Sequence, residues 1–121
     1  MKIELKRSTP IEYSYVDDAG LTVVFTANAC TVGGYQLALR IEAEGEQAGS
    51  NRLLDQSIAL CGESCRAHLA QMDVEMLHEV IQAQVALYSG LDPASIVDIL
   101  RAVKKKALAS QFATSATPAT S

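Results

Sequence analysis

The clearest pattern of apolar and polar positions lies between residues 73 and 89 and predicts an amphipathic helix. Asp73 is a favourable N-cap residue just before the periodic run, and Gly90 stands where a left-handed helix stop is expected. At about 100° per residue the polar side chains share one arc, and nearly every other position is apolar. The members of that arc are Glu75, His78, Glu79, Gln82, Ala86 and Ser89.

This helix has two apolar stripes, whereas an ordinary surface helix needs about one. We assign the larger and more continuous stripe to the domain core; it consists of Val74, Leu77, Ile81, Val85 and Tyr88. The second stripe remains for a partner helix or for self-association, because methionine is common on surfaces that accept varied apolar helices. The predicted partner-binding residues are therefore Met76, Val80, Ala83 and Leu87.

Strand-like alternation fills the N-terminal part of the chain. Residues 2–6 (KIELK) alternate as a short edge strand does, and Pro10 ends the run. Residues 11–15 and 21–26 alternate again on either side of the turn sequence DDAG, which predicts a β-hairpin. The side chains expected on its packed face are Tyr13, Tyr15, Val23 and Phe25.

Residues 34–44 consist almost wholly of good helix formers, so we favour a helix there. Because residues 35–41 also alternate, a third strand is the alternative. A loop is expected at residues 45–50, and Asn51 then begins another helix that Gly62 interrupts. Ser64 can cap a short helix after the break.

The final helix is expected to start at Asp92 and Pro93, a capping residue followed by a proline at the first helical position. From Ser110 onwards the composition is low-complexity and predicts disorder. The predicted apolar stripe of this helix is Ile96, Ile99, Leu100, Val103 and Ala107.

These elements predict one α+β domain over residues 1–109, with a disordered tail at 110–121. A small antiparallel hairpin or meander within residues 2–27 precedes a bundle of four to five helices within residues 34–109. A length of 121 residues suits a single core.

The charge distribution argues against a nucleic-acid-binding protein. Residues 1–100 carry 6 basic and 14 acidic side chains, and the last 21 residues carry four basic ones and no acid. A general nucleic-acid binder has an excess of basic residues over its folded surface. Since neither a signal peptide nor an apolar run near 18 residues is evident, we expect a cytoplasmic chain without membrane contact.

One cluster resembles metal-ligand spacing, namely Cys61, Cys65 and His68. No fourth ligand is evident and Gly62 is expected to break the helix, so we interpret both cysteines as small buried hydrophobes. His78 belongs to the polar arc, and Gly33 and Gly34 are too few for a phosphate loop. No nucleophile, base and oxyanion donor come together, so we expect neither an enzyme nor a cofactor.

The order of these elements resembles the tail assembly chaperones of Mu-like and related contractile or long-tailed phages. The likeness covers about residues 2–88 and includes a strand-to-helix segment at residues 29–34, in which Cys30 departs from the usual residue. A helical pattern of small, apolar and capping residues follows. It would fall on Leu60, Gly62, Ser64, Leu69, Met72, Asp73, Leu77 and Val80.

This resemblance implies a non-enzymatic chaperone that coats apolar helices of the tape-measure protein and recruits tail-tube subunits. It also implies a longer, frameshifted product in many relatives. A small inhibitor of a host or phage enzyme is the alternative of another class, and a cysteine-ligated zinc module is a third.

Overall fold

The α+β architecture is confirmed by a computed structural model, which describes residues 1–44 and 51–116 and, over residues 110–116, the backbone alone. Two antiparallel strands precede a series of helices. The elements are β1 (Ile11–Val16), β2 (Thr22–Ala27), α1 (Val32–Glu44), α2 (Arg52–Cys61), a 3₁₀ turn (Glu63–Cys65), α3 (Arg66–Leu69), α4 (Val74–Tyr88) and α5 (Pro93–Ala116).

The hairpin forms as predicted. Its register pairs Tyr13 with Phe25 and Tyr15 with Val23, which places all four side chains on one face. Tyr15 and Phe25 are buried and the other two are partly buried, so the predicted packed face is confirmed. In the turn, the carboxylate of Asp17 accepts hydrogen bonds of 2.9 Å from the backbone N–H groups of residues 19 and 21.

The predicted strand at residues 2–6 is wrong. Residues 1–10 have no regular secondary structure and are exposed, and the sheet of the described residues contains β1 and β2 alone. Pro10 provides the physical reason: it lacks a backbone N–H and cannot donate the hydrogen bond that would continue the strand ladder before β1.

Helix α1 confirms the helical interpretation of residues 34–44 over the strand alternative. Its first turn is capped by Thr31, whose hydroxyl accepts a 3.0 Å hydrogen bond from Gly34 N–H. Gly34 also lies against α2: a Cβ at this position would be 2.4 Å from the Ala59 carbonyl oxygen. The glycine therefore permits a close helix–helix approach that any side chain would obstruct.

Helix α2 is the central helix of the bundle, because α1 and α4 both pack on it. Gly62, with φ 104°, ends it as expected. The predicted cap at Ser64 is wrong: Ser64 lies inside the 3₁₀ turn, and α3 has no side-chain cap at its N-cap residue, Cys65. The loop expected at residues 45–50 lies outside the described residues.

Helix α4 has the predicted boundaries. Asp73 Oδ1 accepts a 2.9 Å hydrogen bond from Met76 N–H, and Gly90 follows the helix at φ 79°.

Helix α4 contains one fully buried polar side chain, Gln84. The Gln84 amide accepts a 2.9 Å hydrogen bond from the Tyr13 hydroxyl and donates to the carbonyls of Asn28 and Leu60 at 3.0 and 2.9 Å. One side chain thus joins three segments: the hairpin, helix α2, and the segment that follows β2.

Helix α5 starts as predicted, with Asp92 accepting hydrogen bonds from the backbone and hydroxyl of Ser95. It continues to Ala116, so disorder from residue 110 is a wrong prediction for residues 110–116; residues 117–121 lie outside the described part. Gln111, Ala113 and Ala116 in this stretch are good helix formers and favour a helix despite its low complexity. No residue from 93 to 109 is buried.

Candidate protein-binding groove

The two apolar stripes of α4 have opposite roles to those predicted. Val80 and Ala83 are only 4% and 3% exposed, and Met76 and Leu87 are partly buried, so the predicted partner-binding stripe is not a free surface. The small Ala83 and β-branched Val80 allow α4 to approach its neighbours closely, and Gln84 is bonded on the same side. This stripe therefore belongs to the core.

Most of the stripe that we assigned to the core is open. Leu77 is buried as predicted, but Ile81 and Val85 are only half-buried, and Val74 and Tyr88 are exposed to 58% and 37%. Ile81 and Val85 line a groove of about 300 Å³ between α1 and α4. The assignment of this stripe to the core is therefore wrong except at Leu77.

The floor of the groove is α2 and its walls are α1 and α4. Leu53, Gln56 and Leu60 come from the floor, and Leu39 faces the groove from α1 although 52% of it is exposed. At one end, the rings of Tyr35 and Tyr88 stack with centroids 4.3 Å apart and bridge the two walls. The other residues that line the groove are Ala38, Glu42, Arg52, His78, Ile81, Gln82 and Val85.

The polar groups of the floor have partners within the protein. Gln56 Nε2 donates to the Ala38 carbonyl at 3.3 Å and to the Glu42 carboxylate at 2.7 Å. No buried side-chain nitrogen or oxygen in the described part of the chain lacks a hydrogen bond. An occupant therefore does not have to supply polar groups, and its contribution to binding would come from apolar contact.

A second apolar surface lies on α5, whose predicted stripe is only partly packed. Ile96 and Leu100 are half-buried, whereas Ile99 and Val103 are 58% and 59% exposed. The helix is joined to α4 by an ion pair in which Arg101 Nε lies 2.6 Å from Glu79 Oε2. The hydrogen bond from Arg101 lowers the pKa of Glu79 below its ordinary value.

The cysteine cluster is packed rather than arranged around a metal. Cys61 and Cys65 are buried, and burial together with the neighbouring thiols raises the pKa of Cys61 to about 12. His68 stacks on Phe25 with ring centroids 4.6 Å apart, and its Nδ1 lies 3.1 Å from the Tyr15 hydroxyl. Within the described residues, no group of three or more potential ligands is placed to hold a metal ion.

Several residues that matter for this architecture carry no predicted role in the sequence. Gln84 forms hydrogen bonds to three segments of the chain. Gln56 joins α2 to α1 by hydrogen bonds, and Gly34 permits the close approach of these two helices. A signal exists only for Gln84, a polar residue that lies between the two apolar stripes of its helix. His78, which we placed on the polar arc, is half-buried at the polar end of the groove.

None of the helices in the described segments combines the length and the apolar character needed to cross a membrane. In comparisons with known proteins, no family, no curated protein and no solved structure matches this chain.

Proposed function

We propose that this chain is a non-enzymatic tail assembly chaperone that acts in the cytoplasm of the host cell. It binds apolar helices of the tape-measure protein and helps to recruit tail-tube subunits. Two observations support the proposal: the resemblance of its residue pattern to that family, and the open apolar groove between α1 and α4. The groove is the stronger of the two, because it is an apolar surface that residues 1–44 and 51–109 do not fill.

The shape of the groove suits a helix. Its walls are helices joined at one end by the Tyr35–Tyr88 stack, and its apolar lining comes from Leu39, Ile81 and Val85. An amphipathic helix in such a groove presents anchors at i, i+3, i+4 and i+7. The volume lies at the lower end of the range for ligand pockets, about 300–1,000 Å³, so it accommodates a few side chains of one helix face.

The chemistry of the groove suits a partner with varied sequence. Its buried polar groups are already paired, so recognition depends on apolar area rather than on particular hydrogen bonds. Apolar burial is non-directional, which permits different helices of similar hydrophobic character to bind the same surface. A chaperone that coats successive helices of a long tape-measure protein requires such tolerance.

Co-expression tests this proposal. The gene directly downstream is expected to encode a very long, coiled-coil-rich protein, and overlapping helical fragments of that protein should co-purify with the tagged chain. The same fragments should keep it in solution at concentrations at which they aggregate alone. Absence of such a gene, together with co-purification of an enzyme, would instead support the inhibitor alternative.

A further inference from the structure

The first nine residues form an N-terminal arm that lies outside the two-stranded sheet. All of them are exposed, and its aliphatic side chains Ile3 and Leu5 are exposed to 74% and 89%. The sequence of residues 2–6 nevertheless alternates as a β-strand does. The arm therefore has the pattern of a strand but no strand partner within the described chain.

The hairpin has an edge that could receive a strand. With only two strands in the described sheet, each has one edge without a strand neighbour. The outer side of β2 lies near the 3₁₀ turn, where Cys65 Sγ is 3.8 Å from the Thr26 carbonyl oxygen. The outer edge of β1 is more open than that of β2, because the extensive contacts of β1 are with β2 alone, whereas β2 also contacts the 3₁₀ turn. Unpaired edge strands are templates for strand addition.

A pocket of about 130 Å³ lies between β1 and helices α4 and α5, and its lining combines apolar side chains with the ion pair of Glu79 and Arg101. It is bordered by Tyr13, Ser14 and Tyr15 of β1 and by side chains of α4 and α5. Methionine, which adapts its shape readily, contributes to the lining at positions 72 and 76. In a strand beside β1, every second side chain would lie over this pocket. Ile3 and Leu5 are two positions apart, so both would lie on that face.

The arm cannot reach the β1 edge of its own chain by a simple reversal. Arg7 and Ser8 lie beside residues 28–31, which follow β2, rather than along the outer edge of β1. The six residues before Arg7, when extended, reach about 20 Å, enough to contact another molecule. The charges favour a second copy: the arm carries Lys2, Lys6 and Arg7 against one acid, whereas residues 11–27 carry three acids and no base.

We propose that the arm of one copy adds as a strand to the β1 edge of a second copy, with Ile3 and Leu5 over the pocket that Met72 and Met76 border. The chain thus self-assembles by strand exchange, independently of any helix in the groove between α1 and α4. The main-chain hydrogen bonds supply affinity, and the alternate apolar side chains supply register.

Sedimentation equilibrium of the whole chain, without any other protein, tests the exchange. We expect a concentration-dependent dimer or higher assembly, and a monomer when residues 1–9 are deleted. The double substitution Ile3→Ser/Leu5→Ser should weaken self-association about tenfold or more. The control is Ile99→Ser/Val103→Ser, which removes two aliphatic side chains that are more than half exposed on α5 and should leave self-association unchanged.

A synthetic peptide of residues 1–9, added to the truncated chain, supplies the second measurement. Its binding should shift backbone amide resonances along β1 and weaken with added salt. A whole chain that stays monomeric at every concentration would overturn the proposal. So would an assembly that survives deletion of residues 1–9, one that the α5 control abolishes, or a peptide that fails to bind β1.

Discussion

The two apolar sides of α4 are both hydrophobic, and they differ in how closely the neighbouring elements pack against them. On the side of Val80 and Ala83, the hairpin and α2 approach closely, and a buried glutamine bridges them. On the side of Ile81 and Val85, α1 stands apart and leaves a groove. Ile81 therefore faces the opening, whereas the small side chain of Ala83 permits close contact. A larger side chain is more hydrophobic, but whether a stripe packs against its neighbours depends on how well the side-chain shapes fit together.

The largest expected effect concerns Val80. Val80→Asp should leave the chain unfolded, since an unpaired charge in the core costs several kcal/mol against a total stability of about 5–15 kcal/mol. Circular dichroism and thermal melting measure the loss. Val85→Asp is the comparison on the opposite side of the same helix and should retain a cooperative melt. Cooperative folding of Val80→Asp would place the core on the other side of α4.

The next effect concerns the buried amide. Gln84→Leu removes the partners of the Tyr13 hydroxyl and of two backbone carbonyls, so we expect a loss of about 2–4 kcal/mol in the free energy of unfolding. Urea denaturation measures it. Gln82→Leu, at an exposed position on the same helix, is the matched control and should change stability by less than about 0.5 kcal/mol. An equal loss in the free energy of unfolding for the two variants would show that the hydrogen bonds of Gln84 do not stabilise the fold.

The smallest effect concerns the contact between α4 and α5. Arg101 lowers the pKa of Glu79 below its ordinary value of 4.5, so the pair stabilises the fold above that pH, and its contribution disappears as pH falls through the lowered pKa. Since Arg101 is largely exposed, we expect less than about 1 kcal/mol. Glu79→Gln should therefore reduce stability at neutral pH and reduce it less, or not at all, near pH 3. An equal loss at both pH values would indicate a packing effect instead.

The predictable part of this fold is local. The hairpin turn at Asp17, the cap at Asp73 and the stop at Gly90 each depend on residues only a few positions apart, and the sequence predicts all three. Alternation at residues 2–6 does not produce a strand because pairing requires a neighbouring strand, and the described sheet contains β1 and β2 alone. Helix formers likewise extend α5 beyond the residue at which low complexity predicted disorder.

The site depends on contacts that are distant in sequence. Tyr13 and Gln84 are 71 positions apart, and no periodicity within α4 indicates which stripe meets the hairpin. The sequence does predict that α4 has more apolar surface than one contact needs. Which stripe is surplus follows only from the positions of α1 and α2.

We propose that the groove side of α4 is the binding surface, and the decisive measurement is the affinity of Val85→Asp for tape-measure helices. The control is Val74→Asp, the same substitution in the same stripe, at an exposed position outside the groove. With binding of a co-purifying helical fragment measured by isothermal titration calorimetry, we expect Val85→Asp to bind at least about tenfold more weakly, because a charge replaces an apolar contact. Val74→Asp should bind as the unchanged chain does. Full affinity in a folded Val85→Asp variant would contradict the assignment of the groove.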